Sequence, residues 1–158
     1  MIFFVFHSVV LMAAAADMCW EQERNPYSKA TYTETEWYEH TQAWNEREPE
    51  DPGLLSLFWA HQTYKHELET ANSLKKDKRK HCYIGCRIAQ DTSLEVGTYV
   101  GWLKESEDLA DCNRNTLFET LDYQSTIEGA EHGATVKSPE ECYDFCETYK
   151  APKNRMEL

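Results

Sequence analysis

The sequence predicts an all-α protein, a single compact domain of about five to six helices stapled by disulfides. Apolar residues recur three and four positions apart along several stretches, which is typical of amphipathic helices. Helix start signals precede these stretches, and no stretch alternates apolar and polar residues as a half-buried strand does. With 158 residues, the chain is long enough to bury a core.

The first two predicted helices are separated by a break at residues 49–53. Thr33 and Glu36 fit a capping box, so we expect a helix from there to about residue 48. Asp51 followed by Pro52 predicts the N-cap and first turn of the next helix. The residues at helical spacing in that second helix are Leu54, Leu57, Phe58, His61, Tyr64, Leu68, Ala71 and Leu74.

Four further helices are expected in the second half of the chain. Thr92 with Glu95 forms another capping box, and Ser138 followed by Pro139 is the strongest start signal in the sequence. The expected bounds are roughly residues 78–90, 92–110, 117–133, and 138 to just before Pro152.

Residues 1–16 are predicted to be a signal peptide. Segment 2–16 is uncharged and about 22 Å long as a helix, shorter than a hydrocarbon core of about 30 Å. Ala14, Ala15 and Ala16 precede polar Asp17, as before a signal-peptidase cut, although no Lys or Arg precedes the segment. An uncleaved membrane anchor and a buried apolar segment are the alternatives. We therefore expect a secreted or periplasmic protein with no membrane span after cleavage.

The expected parts after the signal peptide are an irregular segment (17–32), a helical domain (33–151) and a tail (152–158).

Four of the six cysteines form two pairs at helical spacing, one on the third predicted helix and one on the last. The members of each pair are four residues apart, so both face the same way. Two antiparallel helices would bring the pairs into register, which leaves the remaining two cysteines for each other. A zinc site or a redox couple is the alternative, but export favours structural bonds. The expected disulfides are Cys82–Cys146, Cys86–Cys142 and Cys19–Cys112.

The charge balance excludes a general nucleic-acid binder. The chain has 16 Lys and Arg against 28 Asp and Glu, a net charge of −12. Phosphate contact needs clustered cations, and the chain's basic cluster is confined to residues 75–80. We expect the partner to be a cell-envelope component or a basic protein, and we expect no cofactor. The sequence leaves the oligomeric state open.

Polar residues recur between residues 77 and 133 where neighbouring helices should pack. Glu105 and Asp108 are three apart, while Asp122 and Thr126 are four apart, so each pair shares a helix face. This segment is therefore the predicted functional module.

The order of motifs in this module resembles that of known bacterial proteins. The chain carries D-K-x-x-H from Asp77, G-x-x-K-E-x-x-D from Gly101 and D-x-x-x-T-x-x-G-x-x-x-G from Asp122. This order resembles small cell-envelope proteins of the YfiM-like and VanZ-like type. Its His-Cys-x₃-Cys part is similar to modules at the C-termini of Rhs and other polymorphic-toxin-like secreted proteins. The resemblance covers residues 77–133 and implies a helical module in a bacterial envelope setting. It picks out Asp77, His81, Lys104, Glu105, Asp108, Asp122 and Gly129.

One histidine among several carboxylates allows three arrangements. An imidazole oriented by a carboxylate serves as general base in hydrolysis. The same groups hold a divalent metal if His81 and either Glu105 or Asp122 converge. In the third arrangement they satisfy each other as a buried network that fixes helix register. The candidate catalytic residues are His81, Lys104, Glu105, Asp108 and Asp122.

Several aromatic residues also have two interpretations. Trp37, Trp44, Trp59 and Tyr64 either line a sugar-binding groove or belong to the core. Their helical spacing favours the core.

The sequence therefore predicts an exported protein of a bacterial envelope or secretion system, with a hydrolase-like module that uses the His/Glu/Asp cluster. The alternative is a non-catalytic periplasmic binding, inhibitor or immunity-type protein in which the cluster is structural. A catalytic site would show His81 within about 3 Å of a carboxylate and open to a cleft. A binding module would show a closed cluster and an exposed aromatic or acidic patch elsewhere.

Overall fold

The computed structural model describes residues 25, 28, 30–111, 116 and 118–153, which form six α-helices and no extended strand. The all-α prediction is confirmed for this part of the chain. The predicted signal peptide lies outside the described residues. The helices are α1 (Glu34–Asn45), α2 (Leu54–Ser73), α3 (Asp77–Asp91), α4 (Leu94–Ala110), α5 (Thr120–Gly133) and α6 (Pro139–Thr148).

The chain divides into two compact units, each described separately below. Of the described residues, the first unit comprises those up to Arg47 and those within 105–119, and the second comprises 48–104 and 120–153. Among the described helices, none combines the length and the apolar character that crossing a bilayer requires.

Two of the predicted helix starts are confirmed. At α1, the Glu36 carboxylate accepts the Thr33 backbone N–H at 2.9 Å, and the Thr33 hydroxyl accepts the Glu36 N–H at 3.3 Å. At α6, the Glu141 carboxylate accepts the Ser138 N–H at 3.1 Å. These reciprocal bonds satisfy N–H groups that have no partner inside the helix.

Two other starts are displaced from the predicted residues. The prediction of Asp51 as an N-cap is wrong, because α2 begins at Leu54 and its N-cap is Gly53 at φ +81°. The Asp51 carboxylate instead accepts the Gly53 N–H at 2.8 Å, forming the turn that leads into the helix. Thr92 is the C-cap of α3 rather than the N-cap of α4, and its hydroxyl donates to the Ile88 carbonyl. The Ser93 hydroxyl instead accepts the Val96 N–H, in the first turn of α4, at 3.4 Å.

In the first unit, aromatic side chains supply the core. Trp44 is fully buried, and its indole N–H donates to the Ser106 hydroxyl at 2.8 Å. Its ring meets Phe118 edge-on at a centroid distance of 5.1 Å, and Tyr32 meets Trp37 in the same way at 5.2 Å. Trp37 and Trp44 are therefore core residues, as the favoured interpretation of the sequence has it.

In the second unit, α3 is tied to α6 by two disulfides. Cys82 bonds Cys146 and Cys86 bonds Cys142, with a Cα–Cα distance of 5.7 Å in each case. All four cysteines are completely buried. Both bonds are those that the helical spacing predicts. The third expected pair lies outside the described residues.

Helix α3 also packs against α5 through glycines. A Cβ at Gly129 would overlap the carbonyl oxygen of Cys82, and one at Gly133 would overlap that of Cys86. On α3, a Cβ at Gly85 would overlap the carbonyl oxygen of Thr126. The backbones of α3 and α5 therefore approach closely, so α3 is in close contact with a glycine-lined helix and is disulfide-bonded to another.

Candidate functional site

The histidine cluster of the second unit lies where the first turns of α3 and α5 meet. His81 Nε2 lies 3.7 Å from Asp122 Oδ1. Lys78 Nζ lies closer to the same oxygen, at 2.5 Å, and 3.5 Å from Asp77 Oδ2. An ammonium group thus lies between carboxylates of two helices, with the imidazole beside it.

Burial differs sharply among these groups. Only 8% of the Asp122 side chain is exposed, against 65% for Asp77. Burial raises the pKa of Asp122, while the charges of His81 and Lys78 act in the opposite direction. The buried carboxylate therefore depends on the neighbouring cations for its charged state.

The structure brings His81 and Asp122 together, but the other predicted site residues have different surroundings. Glu105 belongs to the first unit, where it is buried and accepts the Glu119 N–H at 2.8 Å. Asp108 belongs to the same unit and is buried too. Lys104, in the second unit, is exposed. In the first unit, Glu105 thus binds a backbone group next to the start of α5.

The geometry gives His81 little support as a general base. A separation of 3.7 Å from Asp122 exceeds hydrogen-bond distance, so this carboxylate does not orient the ring. Lys78 already neutralises the oxygen that would do so. The hydrolase interpretation stays a prediction, and the observed cluster matches the expected features of a structural network more closely.

A second polar cluster, between α2 and α3, was not predicted from the sequence. Glu67 accepts the Tyr83 hydroxyl at 2.6 Å and an Arg87 guanidinium N–H at 3.2 Å. The same guanidinium nitrogen donates to Asp91 at 3.2 Å, and Asp91 accepts the Thr63 hydroxyl at 2.9 Å. Glu67 and Arg87 have 7% of their side chains exposed, so this is a buried ion pair with hydrogen-bonding neighbours. The sequence feature that points to this cluster is the spacing of Thr63 and Glu67, two polar residues four apart on one face of α2.

Hydrogen bonding outweighs burial at Glu67. Burial raises the pKa of this carboxyl, but the bonds from Tyr83 and His66 and the Arg87 charge lower it more. Burial and the Glu67 charge raise the pKa of Tyr83. The carboxylate is therefore the stabilised form in the folded protein.

Replacing Glu67 by glutamine is expected to reduce the pH dependence of stability in acid. A carboxyl whose pKa is lowered by folding contributes stability above its unfolded pKa, near 4.3, and loses it as pH falls through the folded pKa. At pH 7 we expect the variant to be about 1–2 kcal/mol less stable, with the difference shrinking towards pH 3. Urea unfolding across this range measures it, with Glu69→Gln, an exposed carboxylate on the same helix, as control. A constant difference at every pH would contradict the assignment.

Helix α2 carries its large apolar side chains on the solvent side. Its buried residues are small or polar, namely Ala60, Thr63, Glu67 and Ala71. We define the outer face of α2 as its exposed apolar residues. They are between 39% and 71% exposed: Leu54, Leu55, Phe58, Trp59, Tyr64 and Leu68. The core interpretation is therefore wrong for Trp59 and Tyr64, because burial of Glu67 and its partners turns the opposite side of the helix inwards.

Comparison with known proteins gives no relative for this chain. No family model, curated protein or solved structure matches it. The resemblance of residues 77–133 to bacterial envelope proteins stays a prediction.

Proposed function

We propose that this protein is an exported, non-catalytic binding protein that docks a basic protein partner on the outer face of α2. The observation that carries the proposal is the orientation of α2, which buries small and polar residues and exposes two leucines, a phenylalanine and a tryptophan in its first two turns. A large apolar patch on a protein surface is typical of an interaction site.

The size of the patch fits a protein interface. Six side chains that are 39–71% exposed present very roughly 600 Å² of surface in total. About 800 Å² per partner is usual in a specific complex, so the patch with a polar rim reaches that size. Phe58 and Trp59, with ring centroids 5.4 Å apart, are the aromatic anchors expected at its centre.

The charge beside the patch favours a basic partner. Glu48, Glu50 and Asp51 are exposed in the segment that leads into α2. The whole chain carries a net charge of −12, which attracts a cationic protein and repels an anionic one. A partner with an apolar groove bordered by Lys and Arg would match both features.

Export is the second part of the proposal. Two buried disulfides bond α3 to α6, and such bonds persist mainly outside the cytosol. The predicted signal peptide supports the same compartment, and the resemblance of residues 77–133 supports a bacterial envelope setting.

Hydrolysis of an envelope component is the second candidate function. It rests on the presence of His81 and buried Asp122 in one cluster, and it requires the 3.7 Å between them to shorten to a hydrogen bond when substrate binds. Incubating the purified protein with peptidoglycan and with phospholipid vesicles tests it by mass spectrometry of released products. Release that is lost in His81→Gln would establish catalysis and contradict the non-catalytic proposal.

The docking proposal predicts selective binding of a cationic amphipathic helix. The probe is a synthetic peptide of about 20 residues with Leu on one face and Lys on the other, and its partner peptide has Glu in place of Lys. We expect the Lys peptide to bind with micromolar affinity and the Glu peptide not to bind. The combined variant Phe58→Ser and Trp59→Ser should weaken binding at least about tenfold.

Matched variants separate docking from general attraction. Tyr38→Ser removes an exposed aromatic residue outside α2 and should leave affinity unchanged. Glu48→Lys with Glu50→Lys should weaken binding most at low salt, since screening removes that contribution. Equal binding by the Phe58 and Trp59 variant would refute the docking site. Sedimentation of the free protein as a dimer that Phe58→Ser dissociates would identify a second copy as the occupant and also refute a basic partner.

A further inference from the structure

We propose that Asp77, His81 and Asp122 form a divalent transition-metal site, of which Zn²⁺ is the preferred occupant. When no metal is bound, the Lys78 ammonium neutralises the carboxylates of the site. The three residues each offer one ligand atom, and these atoms lie within 4.8 Å of one another. This proposal is independent of docking on α2.

The donor set suits zinc better than calcium or magnesium. Imidazole nitrogen with carboxylate oxygen is a usual Zn²⁺ combination, and three protein ligands leave one position for water. Magnesium and calcium favour sites made of oxygen atoms alone. The imidazole of His81 therefore gives the site its preference for a transition metal.

The ligands are mounted on helices whose spacing is fixed. Asp77 and His81 are four residues apart and share one face of α3. Asp122 is on α5, which meets α3 where Gly129 packs on the Cys82 carbonyl. Cys82 follows His81 directly and is bonded to α6. The distance between the two ligand-bearing helices is thus set by backbone contact and a disulfide rather than by surface loops.

The cluster already holds a cation. Lys78 Nζ lies 2.5 Å from Asp122 Oδ1 and 3.5 Å from Asp77 Oδ2, which are two of the three proposed ligands. Asp122 is almost entirely buried and needs a counter-charge whether or not metal is present. The Lys78 side chain is 23% exposed and has a flexible stem, so its ammonium can move to solvent when a metal ion replaces it.

Competition between Lys78 and the metal gives an unusual expectation. If the cluster were only a structural ion pair, removing the Lys78 ammonium would simply weaken it. If the ammonium competes with a metal ion, its removal should strengthen metal binding. Lys78→Gln is expected to bind Zn²⁺ about tenfold more tightly than the natural chain, since no ammonium has to be displaced. His81→Gln and Asp122→Asn should each weaken binding at least about tenfold.

Isothermal titration of the untagged full chain with Zn²⁺, and separately with Mg²⁺, tests the site. His66→Gln is the matched control, because it removes a histidine that is 85% exposed on α2. We expect one Zn²⁺ per chain, the stated order of affinities, and an unchanged value for His66→Gln. If Asp122→Asn does not fold by circular dichroism, His81→Gln and Lys78→Gln decide.

Three results would overturn the proposal. These are no zinc binding by either the natural chain or Lys78→Gln, binding that His81→Gln leaves unchanged, and weaker binding by Lys78→Gln. The last result would show that the ammonium organises the cluster rather than competing for it. None of these outcomes depends on whether the outer face of α2 binds the Lys peptide.

Discussion

Replacing Gly129 by alanine is expected to destabilise the protein by about 2–3 kcal/mol, although alanine is the better helix former. The added Cβ would overlap the backbone carbonyl oxygen of Cys82 on α3. A carbonyl group cannot rotate away as a side chain does, and the disulfide to Cys146 limits how far α3 can retreat. The helices must therefore separate and lose packing along their contact.

Urea unfolding of Gly129→Ala measures this effect. Glu131→Ala is the control, because it places alanine at an exposed position of the same helix. We expect the control to stay within about 0.5 kcal/mol of the natural chain. In a helix without a close neighbour, glycine to alanine stabilises by up to about 1 kcal/mol. A gain in stability at residue 129 would show that α3 and α5 are not in close backbone contact.

Removing either described disulfide should cost about 2–4 kcal/mol of unfolding free energy. The bonds connect residues 64 and 56 positions apart, so each restricts a long loop of the unfolded chain. Replacing both partners avoids a free thiol, as in Cys82→Ala with Cys146→Ala or Cys86→Ala with Cys142→Ala. Denaturant unfolding of each double variant measures the cost.

The burial of these sulfurs adds a kinetic expectation. All four cysteines are completely inaccessible, so a reductant should reach them only when the protein opens. Reduction in native buffer should be slow and should accelerate steeply with urea. Fast reduction without denaturant, or double variants as stable as the natural chain, would show that the bonds do not hold α3 to α6.

Local chemistry explains why much of the fold was predictable. Thr33 with Glu36, and Ser138 with Glu141, are capping pairs whose bonds form within one helical turn. The cysteines of α3 and of α6 have the same four-residue spacing, so an antiparallel arrangement of the two helices brings both observed pairs into register. Asp51 failed as a cap because Gly53 reaches a positive φ and takes the N-cap position itself.

The orientation of α2 was not predictable, because it depends on residues far apart in the sequence. Helical spacing shows that α2 has an apolar stripe but not whether that stripe faces the core. The bond from Arg87 to Glu67 joins residues 20 positions apart and turns the other side of the helix inwards. The spacing of Thr63 and Glu67 places them on one helix face, but a single sequence does not show that Arg87 is the partner of Glu67.

The candidate site was predictable only in part, because its groups come from helices that are far apart in the sequence. His81 and Asp122 were singled out and do lie together. The role of Lys78 was missed, because only the fold shows that its ammonium lies between Asp77 and Asp122. Glu105 has a local partner, the Glu119 N–H, that motif spacing cannot reveal.

Fluorine NMR of protein labelled with 5-fluorotryptophan tests docking on α2 most directly. The chain has five tryptophans, and Trp59→Phe assigns the resonance of the one on the outer face. On titration with the Lys peptide, we predict a saturable shift of the Trp59 resonance while that of fully buried Trp44 stays in place. A Trp59 resonance that does not move while the peptide binds would contradict the proposed docking face.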